Sequence, residues 1–196
     1  MKRNFLIAPL VGLFAIISVA CTKNQTNESS TDVVADSTSV VTDSAALADQ
    51  KKKEQEAEKA ALPKPYNPEE NAEEKIASLV TQAQAEGKNI MIQAGGNWCI
   101  WCLRFNHYVQ TTPELKNIVD SNYIYYHLNY SPENKNEAIF EKYGDPGKKY
   151  GFPVFIVLDQ NGKQIHTQES GSLEDGKGYS LEKVKAFFEA WTPKKS

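Results

Sequence analysis

Cys99 and Cys102, in the segment Trp98-Cys99-Ile100-Trp101-Cys102, are two thiols separated by two residues. A pair at this spacing serves two chemistries: it supplies half of a metal site, or it cycles between dithiol and disulfide. A structural zinc site usually needs four ligands, from a second cysteine pair or from two histidines about three to five residues apart. His107, His127 and His166 show no such spacing, and Cys21 stands far from the pair. No metal and no cofactor are expected. What the pair does then depends on the elements that hold it.

The chain has 196 residues, 24% of them charged, and a net charge of −3. That is room for one ordinary domain plus accessories, without the basic footprint of a nucleic-acid binder. Lys2 and Arg3 precede an almost wholly apolar run from Phe5 to Val19. The run is shorter than the roughly 20 residues of a membrane-spanning helix, and reads as a signal peptide over residues 1–20. Ser18-Val19-Ala20-Cys21 resembles a bacterial lipobox. The resemblance implies that Cys21 is lipidated and anchors the chain to a membrane; the alternative is an ordinary signal peptide before a chance cysteine. Thr22 follows Cys21, and by resemblance to lipoprotein sorting rules it favours the outer membrane. The expected location is the bacterial cell envelope, facing the periplasm, where disulfide chemistry is normal.

Residues 22–48 are rich in Thr, Ser, Asp and Asn, and 49–61 are a charged, helix-prone run without an apolar stripe. Such sequence cannot bury enough surface to fold alone. Residues 21–65 are therefore expected to be a lipid-anchored flexible tether ending in Pro63-Lys64-Pro65, with a partner-binding tail as the alternative. The folded domain is expected over 66–196. Asn67-Pro68-Glu69-Glu70 predicts a helix start, with Asn67 as cap, and Gly87 its stop. Strands are predicted over 89–94, 123–130, 153–158 and 163–168, the last two joined by a turn at Asp159-Gln160-Asn161-Gly162. Helices are predicted over 101–109, 113–119 after a break at Pro113, 133–143 and 181–191. The order α-β-α-β-α-β-β-α gives an α/β fold, a central mixed β-sheet flanked by helices on both faces.

A strand, then Trp-Cys-x-x-Cys opening a helix, then Gly151-Phe152-Pro153 opening a later strand, resembles the thioredoxin-like family, in particular its Trp-Cys-x-Trp-Cys subset. The resemblance spans about residues 66–196. It implies a thioredoxin-like fold and a thiol–disulfide oxidoreductase, with Cys99 as attacking thiolate at a helix N-terminus and Cys102 as the thiol that resolves the mixed disulfide. It also implies that Pro153 is cis and faces the pair and that the Phe152 backbone docks a substrate strand; Trp98 and Trp101 read as shaping the apolar rim of the site rather than doing chemistry. The partners implied are envelope proteins bearing disulfides or thiols, and an upstream redox protein. Ile100 and Trp101 carry no charge, which favours a reductase; an oxidase or isomerase is the sibling reading. A tethered, non-catalytic binding module is the rival class.

The sequence departs from thioredoxin at Gln93, where a buried acid is usual and Gln cannot ionise. His127 falls near a family lysine, and reads either as a proton relay near neutral pH or as a sheet-facing histidine with its hydrogen bond satisfied. The stretch 131–150 is longer than in compact thioredoxins, and is either a lid or partner surface or simply a loop.

Overall fold

The computed structural model describes residues 39–194; side chains are described from residue 46. The signal peptide and Cys21 lie outside the described residues. Strands β1 (Asn89–Gly95), β2 (Tyr123–Asn129), β3 (Val154–Leu158) and β4 (Gln164–Glu169) form one sheet in the order β2-β1-β3-β4. β2 runs parallel to β1, while β1–β3 and β3–β4 are antiparallel, so the sheet is mixed.

Alternation along β1 and β3 divides the interior in two. Ile90, Ile92 and Ala94 of β1, with Val154, Ile156 and Leu158 of β3, point to one face. There they meet Ile76, Leu79 and Ala83 of the helix α2 (Ala72–Glu86). Met91, Phe155 and Val157 point the other way. They pack against α3 (Ile100–Thr111), α4 (Pro113–Asn122) and, through Val184, Phe187 and Phe188, the last helix, Leu181–Ala190. Each large apolar side chain so buried contributes about 2 kcal/mol of transfer free energy. β1 and β3 are buried along their whole length, which is why their sequences are near-continuous apolar runs.

Four local features differ from the sequence expectation. The cap of α2 is Asn71, not Asn67: Asn71 Oδ1 accepts from Glu73 N and Glu74 N at 3.0 and 3.3 Å. Asn67 instead closes a turn, its Oδ1 accepting from Glu69 N at 3.0 Å. Both sites offer Asn followed by acids, and the helix begins at the second. The helix expected over 133–143 is two short ones, α5 (Glu137–Lys142) and α6 (Pro146–Tyr150). Its first turn is replaced by a loop in which Asn134 donates to the carbonyls of Pro68 and Glu70. Between β4 and the last helix a 3-10 turn (Gly171–Leu173) and a hairpin of β5 (Glu174–Asp175) and β6 (Gly178–Tyr179) intervene. With those counted, the last helix is α7.

The fourth difference lies in the expected flexible tether, where α1 (Ser39–Ala61) is helical. Its side chains from 46 to 58 are all exposed, so burial does not hold it. Its residues are strong helix formers, and a bidentate pair fixes its C-terminal end: Arg104 of α3 donates to Glu58 through Nε (2.7 Å) and a terminal nitrogen (2.6 Å). Among the described residues no helix is long and apolar enough to cross a membrane.

Candidate active site

β1 ends at Gly95, and the turn Gly96–Trp98 reverses the chain into α3, with Cys99 N donating to Gly96 O at 3.0 Å. Cys99 is the N-cap residue of α3, in extended conformation, and its Sγ accepts from Cys102 N at 3.1 Å. The helix therefore directs an unpaired N–H and its positive dipole end at this sulfur. Cys99 and Cys102 are joined by a disulfide, with Cα atoms 5.2 Å apart. The two are not equivalent: Cys102 has no exposure, while Cys99 retains 6%. In a dithiol state the helix end favours a thiolate at Cys99, the more accessible of the two sulfurs.

Three further sequence-nominated residues converge there. The Phe152–Pro153 peptide is cis, and Phe152 O lies 3.7 Å from Cys99 Sγ. Trp98 is 48% exposed at the rim; its ring meets Phe152 edge-on at 5.8 Å and its Nε1 donates to Tyr130 O at 2.7 Å. Trp101 packs against the cluster that holds both cysteines, its ring edge-on to Tyr179 of β6 at 5.7 Å with the Arg104 guanidinium over its face at 5.1 Å. Arg104 is itself paired with Glu58 at 2.6 Å.

Behind Cys102 lies a polar network that sequence reading did not find. Gln93 is fully buried; its Nε2 donates to Tyr66 Oη at 2.7 Å and to Cys102 O at 2.9 Å, and its Oε1 accepts from Tyr125 Oη at 2.7 Å. Both phenols are pushed far above their ordinary pKa by burial and stay neutral. Tyr66 is locked by Asn97, whose side chain donates to Tyr66 O at 2.7 Å and accepts from Tyr66 N at 3.2 Å. The sequence pointed to Gln93 alone, as the residue standing where the family resemblance places a buried acid, and gave no sign of its tyrosine partners. A Cβ on Gly95 would stand 2.5 Å from Cys102 Sγ and 2.9 Å from Tyr66 Oη, so strand, sulfur and phenol meet where only glycine fits.

His127 pairs through Nε2 with Asn106 Oδ1 at 3.0 Å, its ring between those of Tyr66 and Tyr125. Burial pulls its pKa down to about 4, so it is neutral at neutral pH. It is the sheet-facing histidine with a satisfied partner, not a group titrating near neutrality. His107 is exposed on α3. Among the described residues no three His, Cys, Asp or Glu side chains cluster in a way that could hold a metal.

Comparison with known proteins agrees with this architecture. Residues 71–160 match the family model described as thioredoxin-like. A disulphide isomerase from Xylella fastidiosa Temecula1 superposes with a TM-score of 0.58 at 21% identity, over 66% of this chain and 98% of that one. The C-terminal domain of DsbD from Neisseria meningitidis, oxidised form, gives a TM-score of 0.46 at 19% identity, over 61% and 95% of the two chains. A thioredoxin from Thermus thermophilus gives 0.42 at 17% identity, over 58% and 82%. The comparison with curated proteins yields no match. The fold is thioredoxin-like.

Proposed function

We propose that this chain is a thiol–disulfide oxidoreductase of the bacterial cell envelope, anchored through lipid on Cys21, that reduces disulfides in envelope proteins. The observation that carries the reading is the placement of Cys99: at a helix N-terminus, bonded to the buried Cys102, with the carbonyl before a cis-proline 3.7 Å from its sulfur.

In the reductive half-cycle the Cys99 thiolate attacks a substrate disulfide, forming a mixed disulfide and releasing one substrate thiolate. Cys102 then gives up its proton and attacks Cys99 Sγ, releasing the second substrate thiol and restoring the Cys99–Cys102 disulfide. Two electrons pass to the substrate, and an upstream thiol protein returns them. Strand-like pairing of the substrate with the Phe152 backbone and packing on Trp98 hold it in line for attack. The reductive direction is supported by the surroundings of Cys99, where the thiolate is favoured by backbone N–H groups and a helix end, with Arg104 already paired to Glu58. A strong oxidant needs a more heavily stabilised thiolate.

The test is trapping. Cys102→Ser should leave Cys99 joined to its substrates after acid quench, and Cys99→Ser/Cys102→Ser should recover none; equal recovery from both overturns the mechanism. The purified protein should reduce a protein disulfide and show a potential below about −180 mV. A value near −120 mV, that of the strongest periplasmic oxidants, would reverse the assigned direction.

A further inference from the structure

Beside Phe152, α5 and α6 enclose a cavity of about 350 Å³. Its apolar wall is aromatic: Tyr130 and Phe152 stack at 5.0 Å, and Phe140 stands edge-on to both, at 5.2 and 6.0 Å. Its rim is acidic, with Glu137, Glu141 and Asp145 against a single lining lysine, Lys148, which already bridges to Asp145 at 3.0 Å. Glu137 has only Lys135 at 3.9 Å, and Glu141 has no ion pair among the described residues.

The cavity is coupled to the redox pair through one residue. Phe152 supplies both the carbonyl 3.7 Å from Cys99 Sγ and a ring of the cavity wall. A substrate strand that lies along the Phe152 backbone therefore presents a side chain next to its disulfide to this cavity. Aromatic faces below and carboxylates above suit a long side chain with an apolar stem and a cationic head. Such a guanidinium or ammonium gains the aromatic wall and the excess of rim carboxylates over Lys148 together, whereas an acidic side chain meets like charge.

We infer that the cavity formed by Tyr130, Phe140, Phe152 and the rim carboxylates Glu137 and Glu141 is a specificity subsite for a basic side chain, Arg or Lys, flanking the substrate disulfide. The inference rests on the oxidoreductase reading and assigns the long 131–150 stretch as a substrate-selecting element.

The experiment uses the purified protein and three disulfide peptides, identical except for Arg, Ala or Glu at the positions two residues either side of the cysteine. At low ionic strength kcat/KM should rank Arg over Ala over Glu, with Arg over Glu by about tenfold, the size that a cation–π contact with an exposed ion pair supplies. The ratio should collapse near 1 M salt, and Glu137→Lys/Glu141→Lys should invert it. Turnover of all three peptides at equal kcat/KM overturns the subsite and leaves the oxidoreductase reading standing. A ranking that Glu137→Lys/Glu141→Lys does not move also overturns it, since the preference then arises elsewhere. Turnover of none overturns the oxidoreductase reading and the subsite with it.

Discussion

Gln93 and His127 are register partners on β1 and β2, two polar side chains between apolar neighbours on their strands. Each is satisfied by neutral neighbours, Gln93 by two phenols and a carbonyl, His127 by Asn106. Nothing in this network offers a buried charge a partner, so its members hold together as long as all are neutral. For His127 the sign follows from its pKa of about 4, below the ordinary 6.5. Between those values the unfolded chain binds a proton that the folded chain does not. Its contribution to stability is therefore complete above about pH 6.5 and is lost as the pH falls toward 4, by about 3 kcal/mol at roughly 1.4 kcal/mol per unit. His127→Gln should flatten this acid limb in urea titrations across that range. Parallel curves for the two proteins would mean that other groups set the acid sensitivity.

At the scale of elements, the site depends on how closely β1 can approach the first turn of α3. Gly95→Ala would place a methyl against Cys102 Sγ and Tyr66 Oη, and neither can retreat, since Cys102 is fully buried and Tyr66 is bonded to Gln93. Overpacking of this kind should cost about 1–3 kcal/mol, read as a lower urea midpoint at unchanged slope. An unchanged midpoint would show that the turn relaxes freely. The elements themselves were legible because their signals are local. Short, near-continuous apolar runs marked β1 and β3, and Pro113 separated α3 from α4. The cysteine spacing and the Gly-Phe-Pro segment brought Cys99, Phe152 and Pro153 into view together. The missing parts depend on contacts distant in sequence. Asn67 and Asn71 each precede acids and offer the same local cap signal. Tyr66 and Gln93 lie 27 residues apart, and Tyr125 lies 32 beyond Gln93, so no window along the chain contains their hydrogen bonds.

For the whole molecule, α1 is attached to the domain at one end by an ion pair on the surface. Arg104 lowers the pKa of Glu58 through direct hydrogen bonds, but the carboxylate is 41% exposed, so the link is worth no more than about 1 kcal/mol. Glu58→Gln should leave the urea midpoint of the domain within that margin while accelerating tryptic cleavage at Lys51–Lys53 of α1. Unchanged cleavage would mean that contacts other than this pair retain the helix. Because Arg104 also covers Trp101, the same substitution frees a cation beside the cysteine motif.

The unequal burial of the two sulfurs has a consequence for chemical durability. A peroxide that reaches the reduced pair meets Cys99, with 6% exposure, before Cys102, with none. The product, a sulfenic acid on Cys99, then has a thiol within bonding distance, and condensation of the two expels water and yields the Cys99–Cys102 disulfide. That is the same state the pair reaches after reducing a substrate. In the cycle proposed above an oxidant thus costs one round of re-reduction instead of destroying the site, and the buried thiol protects its neighbour from sulfinic acid.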